Sequence, residues 1–289
     1  MRISNQMLQQ DALRSLQANL KSLYTAERQA VTGRRIQTVS DDPTDAARIA
    51  RISAHLRDIE QYRSNLTSAN IRLSAEDSVL TSVRSLLDQA KNVALGLEEL
   101  EDSESAMEGA VSELAQIQEQ LVSLGNTRLG NEYLFGGAKT DEPPFLRDGT
   151  YVGDQTARRV EIDQGLLVET NHTGDETIAK AIDAVKGLLD GLETGGNRES
   201  LSASVTDIEL AQQGALTAQT ELGVRLGELE EVRDHLARMS LELTDQRDTL
   251  RDVDPAEAIL SLMTTQQAME RAYEVVGRIA SMNIVDYLR

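Results

Sequence analysis

The sequence predicts a mainly α-helical fold with a small β-containing insertion, in which long N- and C-terminal regions form an antiparallel helical bundle, or coiled coil, around that central inserted domain. Three observations lead to it. Leu, Ile and Ala recur at strict seven-residue intervals through two long stretches, one on each side of the middle, the period of helices that pack side by side. Aromatic residues make up only 3% of the chain (two Phe, six Tyr, no Trp), so its interior is filled at Leu- and Ala-rich helix seams rather than by large rings. Four prolines in 289 residues leave room for very long uninterrupted helices.

The first helix carries Leu13, Leu16, Leu20, Leu23 and Ala30 on one face, in steps of three and four that only Glu27 interrupts. Gly33 suits its C-cap, with Arg34 and Arg35 near the negative end of the helix dipole. A second helix starts at Ser40-Asp41-Asp42-Pro43, where Ser40 or Asp42 can cap and Pro43 fits the first helical position. Along it Ile59, Leu66, Leu73, Leu80, Leu87 and Ala94 lie seven apart. Their companions three residues on, Tyr62, Ala69, Val83, Ala90 and Leu97, are apolar or aromatic, with Glu76 the exception. An acidic run at 98–104 turns the chain into a third helix bearing Met107, Ala110, Leu114, Ile117, Leu121 and Leu124.

Gly and Pro then cluster, and residues 159–163 alternate as a strand does, with Gly165 separating them from Leu166-Leu167-Val168. A short helix follows with Ile178, Ile182, Val185 and Leu189 in register, and then a Gly195-Gly196-Asn197 linker. Heptads return at Ile208, Ala215, Leu222, Leu229, Leu236, Leu243 and Leu250. Pro255 restarts the chain in a last helix with Ile259, Leu262, Met269, Tyr273, Val276, Ala280 and Tyr287 on one stripe, and Gln266 and Asn283 at polar seam positions. The expected division is 1–40 and 255–289 as paired terminal helices, 41–130 and 205–254 as the helical core, and 131–204 as the β-containing outer domain. Because one amphipathic helix cannot bury its own stripe, the two terminal stripes read as seams for packing on each other or on neighbouring subunits.

Composition narrows the function. The net charge is −19, which disfavours nonspecific attraction to nucleic acid or anionic lipid. Residues 1–60 hold nine Lys/Arg and seven Asp/Glu, a charge of +2, so the remainder carries −21. The N-terminal stretch is thus the surface suited to close packing, and the acidic remainder the surface suited to water. With no cysteine, disulfides, thiolate nucleophiles and Cys-ligated metals are excluded. No run reaches the about 18 apolar residues of a membrane span, and the first residues lack a secretory h-region, which implies either a cytosolic protein or export without a cleaved signal.

No catalytic constellation emerges. His55, His172 and His235 are far apart in sequence, and Glu231 with His235 makes only a looser Glu-x-x-x-His on one helix face, short of the paired Glu-x-x-His motifs of a di-iron bundle. The run at 41–45 lacks EF-hand spacing and reads as capping. Neither Gly136-Gly137 nor Gly195-Gly196 belongs to a phosphate-binding fingerprint. The reading is a non-enzyme with no cofactor.

Four segments carry a resemblance. Val31-Thr32-Gly33-Arg34-Arg35-Ile36 followed by Ser40-Asp41-Asp42-Pro43-Thr44-Asp45-Ala46-Ala47 resembles the "SSGKRI…SDDPAxAA" signature of the flagellin superfamily. Asn126-Thr127-Arg128-Leu129-Gly130-Asn131-Glu132-Tyr133-Leu134-Phe135-Gly136-Gly137 resembles the "N…GxYLFGG" segment of that superfamily's hook-associated branch, as do the opening Met1-Arg2-Ile3-Ser4 and the ending at 283–289. The resemblance implies a flagellin-like fold and a structural role where hook meets filament. It implies copies of itself, neighbouring hook-associated proteins, flagellin and an export chaperone as partners, with type III export to the cell exterior. A divergent filament flagellin and a coiled-coil binding module acting through residues 130–200 are the competing readings.

Overall fold

The computed structural model describes the backbone of residues 2–99, 104–194 and 198–287, and side chains within them except at 2–6, 8–9, 98–99, 104, 198–199 and 279–287. Six helices dominate: α1 (Arg2–Thr32), α2 (Pro43–Glu99), α3 (Glu104–Gly125), α4 (Lys180–Glu193), α5 (Arg198–Arg251) and α6 (Pro255–Tyr287). Between α3 and α4 lie four short strands, β1 (Arg128–Leu129), β2 (Glu132–Tyr133), β3 (Arg159–Asp163) and β4 (Leu166–Glu169), and a π-helical turn at Asp175–Ala179. They form two antiparallel pairs, β1 with β2 and β3 with β4. In the second pair Val160 faces Val168, with an irregularity between Glu161 and Asp163. The linker 195–197 and most of the acidic turn at 98–104 lie outside the described residues.

The chain divides into two compact units, Ile59–Ala237, and Met1–Asp58 with Arg238–Arg289. In the first, the heptad residues predicted on α2 and α5 are the core. Ile59, Leu66, Leu73, Leu80 and Leu87 are buried on α2, and Ile208, Ala215, Leu222, Leu229 and Leu236 on α5. Polar bonds at the flanks set the helices antiparallel: Arg84 to Gln219 at 2.9 Å, Gln212 to Asp88 at 2.6 Å and Lys91 to Glu209 at 2.6 Å. Ala69 and Ala90 of α2 and Ala211, Ala215 and Ala218 of α5 are buried with them. The end of the unit is thicker, where Leu114, Ile117 and Leu121 of α3 join Ile182, Val185 and Leu188 of α4 and the rings of Phe135 and Phe145 in one cluster. Each fully buried Leu here stabilises the fold by about 1.5–3 kcal/mol.

In the other unit α1 packs on α6. The main-chain N–H of Val253 donates to the Gly33 carbonyl at 3.0 Å, which brings the end of α1 to the start of α6 and makes the pair antiparallel. Among the described residues no helix is long and apolar enough to cross a membrane.

Candidate assembly surface

The terminal pair is anchored at a joint made by residues 33–45 and 248–254. Gly33 ends α1 at φ +68, a left-handed conformation that glycine adopts without strain. The chain then runs briefly antiparallel to the end of α5: the N–H groups of Arg35 and Ile36 donate to the Arg251 carbonyl at 2.7 and 3.2 Å. The Arg35 guanidinium donates to Asp45 at 2.7 Å and to the Leu250 carbonyl at 2.8 Å, crossing between the two helices.

The acidic run is wholly engaged. Asp41 accepts the main-chain N–H groups of Thr38 and Gln37 at 2.9 and 3.0 Å and the Arg28 guanidinium at 2.9 Å. Those donors hold its carboxyl down to about 2. Asp42 is the N-cap of α2: its Oδ1 accepts the N–H groups of Thr44 and Asp45, both at 3.1 Å, ahead of Pro43 at the first helical position. Ser40 is exposed and Arg34 is joined by an isolated bridge to Asp252. Asp42→Ala should therefore fray the start of α2, raising hydrogen exchange of the Thr44 and Asp45 amides by about fivefold. Because the Asp41 carboxyl is depressed from 3.8, its stabilisation is complete above pH 3.8 and is lost as pH falls through about 2. An Asp41→Asn variant should flatten that acid limb in a pH titration of helicity.

The terminal stripes divide into two sets. Ala12, Leu16, Asn19, Leu23, Ala26 and Ala30 are among the buried or half-buried positions of α1, as are Ala258, Leu262, Thr265, Met269, Ala272 and Val276 on α6. Both series step by four and three, the spacing of a two-helix seam. Leu13, Leu20, Tyr24 and Val31 on α1 and Ile259 and Tyr273 on α6 stay exposed beside it, and Leu260, Met263 and Val275 are exposed elsewhere on α6. The stripe read from sequence thus straddles a covered seam (Leu16, Leu23, Ala30, Leu262, Met269, Val276) and an open flank (Leu13, Leu20, Ile259, Tyr273). Gln266 is exposed, while the side chains of Ala280, Asn283 and Tyr287 lie outside the described residues. The apolar arc is thus wider than one partner helix covers and leaves apolar surface open.

Charge follows the same division. Met1–Asp58 with Arg238–Arg289 contain 15 Lys/Arg and 15 Asp/Glu. The unit Ile59–Ala237 contains 14 and 33, the entire −19. The neutral part thus includes the C-terminal stretch as well as the N-terminal one.

The other signature segment is structural packing inside the acidic unit. Leu134 and Phe135 are fully buried, and the Arg128 guanidinium lies 5.0 Å from the centre of the Tyr133 ring. Tyr151 donates its hydroxyl to the Phe135 carbonyl at 3.0 Å and the Asp154 carbonyl at 2.8 Å, and burial pushes that phenol up to about 12. Asn126 and Phe145 exchange reciprocal bonds at 2.9 and 3.0 Å. A Cβ on Gly136 would collide with the Lys139 carbonyl oxygen, which accounts for glycine there.

Two buried charges on α2 were not singled out from sequence as paired. Arg72 donates to the Leu134 carbonyl at 3.0 Å and to Glu132 at 3.3 Å, tying β2 to the helix. Glu76, one turn on, meets His172. The signal was present, since Glu76 is the charged residue among apolar heptad companions. His55, Glu231 and His235 are exposed, and among the described residues no group of three His, Cys, Asp or Glu could hold a metal ion.

Known proteins of the same build exist. The profile for the bacterial flagellin N-terminal helical region matches residues 3–140, and that for the C-terminal helical region matches 205–288. Flagellar hook-associated protein 3 of Escherichia coli is 27% identical over 98% of each chain. Its counterpart of the same name in Salmonella typhimurium is also 27% identical over 98% of each. A structure of a hook-associated protein from Vibrio parahaemolyticus superposes with a TM-score of 0.67 at 22% identity, covering 73% of this chain and all of that one.

Proposed function

The chain belongs to the bacterial flagellin family, and on that premise we propose that it is a structural, non-enzymatic subunit joining the flagellar hook to the filament. The observation that carries an assembly role is the surplus apolar flank of the α1–α6 pair, set in a part of the chain with no net charge. Full-length correspondence to relatives named hook-associated protein 3 favours the junction over the filament itself.

In this reading residues 1–40 and 255–289 are the assembly module, with Leu13, Leu20, Ile259 and Tyr273 facing copies of the same chain and the adjoining hook-associated proteins and flagellin. Residues 41–130 and 205–254 form the helical shaft, and 131–204 the outer domain. The subunit leaves the cell through the flagellar type III apparatus, its C-terminal region guarded by a chaperone until then. Hydrogen bonds within each helix are short-range in sequence, so the helices re-form locally after threading a channel and pair afterwards.

Deleting the gene should leave hooks without filaments, and a labelled subunit should sit between hook and filament in isolated flagella. Seeded purified protein that grew micrometre filaments would instead make it a filament flagellin. Limited proteolysis of the monomer should trim roughly the first 40 and last 35 residues before the middle, because the terminal pair buries a single seam until its open flank finds a partner on assembly. Equal resistance of ends and middle would contradict that.

A further inference from the structure

Glu76 interrupts the apolar seam of α2 with a side chain that is fully buried. Both hydrogen bonds its Oε1 receives come from His172, one from the main-chain N–H at 2.9 Å and one at the ring Nδ1 at 2.6 Å. The opposite ring nitrogen, Nε2, lies 3.1 Å from Oε2 of Glu221 on α5. A neutral imidazole carries one N–H; it could serve one of these carboxylates while turning a lone pair toward the other. Only the imidazolium donates to both, and it also compensates a carboxylate cut off from water.

We infer that His172, as the imidazolium, is a protonation-controlled latch that fastens residues 170–174 of the insertion across α2 and α5 and loosens as pH rises. The segment it holds is itself buried and polar (Thr170, Asn171, His172, Thr173), with little apolar area of its own to secure it. Its far end is joined to the signature segment by the Gly174 N–H, which donates to the Phe135 carbonyl at 3.2 Å.

Every element around the ring contributes charge. From α2 come Glu76 and, one turn earlier, Arg72; from α5, Glu221 and Arg225; from β4, Glu169. Arg225 stands 3.5 Å from Glu169 and 3.7 Å from Glu221, so it engages both carboxylates and opposes the imidazolium. Burial works in the same direction as Arg225. The bond and charge of Glu76, with the bond to Glu221, outweigh both and raise the ring above its ordinary 6.5. A raised folded value means the latch is fully closed below the ordinary 6.5 and is lost only as pH climbs through the higher folded value. This inference holds whatever the chain assembles with.

The test is nitrogen NMR of the isotope-labelled full chain, combined with urea unfolding. At pH 6.5 both ring nitrogens of His172 should show the shifts of protonated imidazolium. Glu221→Gln, which keeps the Glu76 bond and removes the negative charge facing Nε2, should lower the pH of deprotonation by roughly half a unit or more. The urea midpoint of the acidic unit should fall between pH 6.5 and 9, and His172→Gln should abolish that slope. Should His172→Gln fail to fold, the ring shifts in wild type and Glu221→Gln still decide. A neutral imidazole at pH 6.5, or a deprotonation pH unmoved by Glu221→Gln, overturns the latch.

Discussion

Leu20→Asp is expected to abolish filament attachment while leaving the isolated subunit folded. Leu20 is 45% exposed, so the monomer loses little when a carboxylate replaces it. In the assembly that carboxylate would be shut against apolar neighbours without a partner, at a cost of about 2–5 kcal/mol per subunit. That is enough to reduce incorporation by about thirtyfold or more. Met269 is the control for the other half of the stripe. At 4% exposure it sits in the α1–α6 seam, so Met269→Ala should weaken the pair within the monomer by about 2–5 kcal/mol. The readouts separate cleanly: incorporation into isolated flagella for Leu20→Asp, circular dichroism and protease sensitivity of the monomer for Met269→Ala. Normal motility in cells carrying only Leu20→Asp would sink the open flank as an interface.

Gly137→Ala is expected to destabilise the acidic unit by about 3 kcal/mol or more, far beyond the cost of the same change at Gly33. Both glycines hold a left-handed backbone, φ +65 and +68, for which alanine carries a penalty of about 1–2 kcal/mol. At Gly33 that penalty is the whole effect, because nothing lies within 4 Å of an added Cβ. At Gly137 the Cβ would also collide with the Asp154 carbonyl oxygen and carboxylate. That carbonyl cannot turn aside freely, since it accepts the Tyr151 hydroxyl at 2.8 Å, and Tyr151 in turn packs on Phe145 with ring centres 5.2 Å apart. Paired urea titrations of the two variants measure the difference. Equal losses would mean that the signature glycine is retained for its backbone angle alone.

Most of the helical architecture was legible in the sequence because heptad spacing is a local property. Ile59, Leu66, Leu73, Leu80 and Leu87 declare a helix face whatever lies opposite, and the structure buries all five. The N-cap was legible to within one choice, Ser40 or Asp42, and only the bonds to Thr44 and Asp45 select Asp42. The strand at 159–163 was readable from alternation and the one at 166–169 from the apolar run after Gly165, whereas the two-residue pair at 128–133 is too short to show a period.

The terminal stripes mark the boundary between the two kinds of knowledge. Their existence follows from sequence alone, since steps of three and four at Leu13, Leu16, Leu20 and Leu23 define one apolar arc. Which part of that arc the chain covers for itself does not follow, because an arc wider than a single seam can be rotated by one position without breaking its pattern. Packing of α1 on α6 chose Leu16 and Leu23 and left Leu13 and Leu20 outside. Glu76 is the same lesson in a buried position. Periodicity placed it on the seam, but its partner is 96 residues away, and only the tertiary fold brings His172 there to answer its charge.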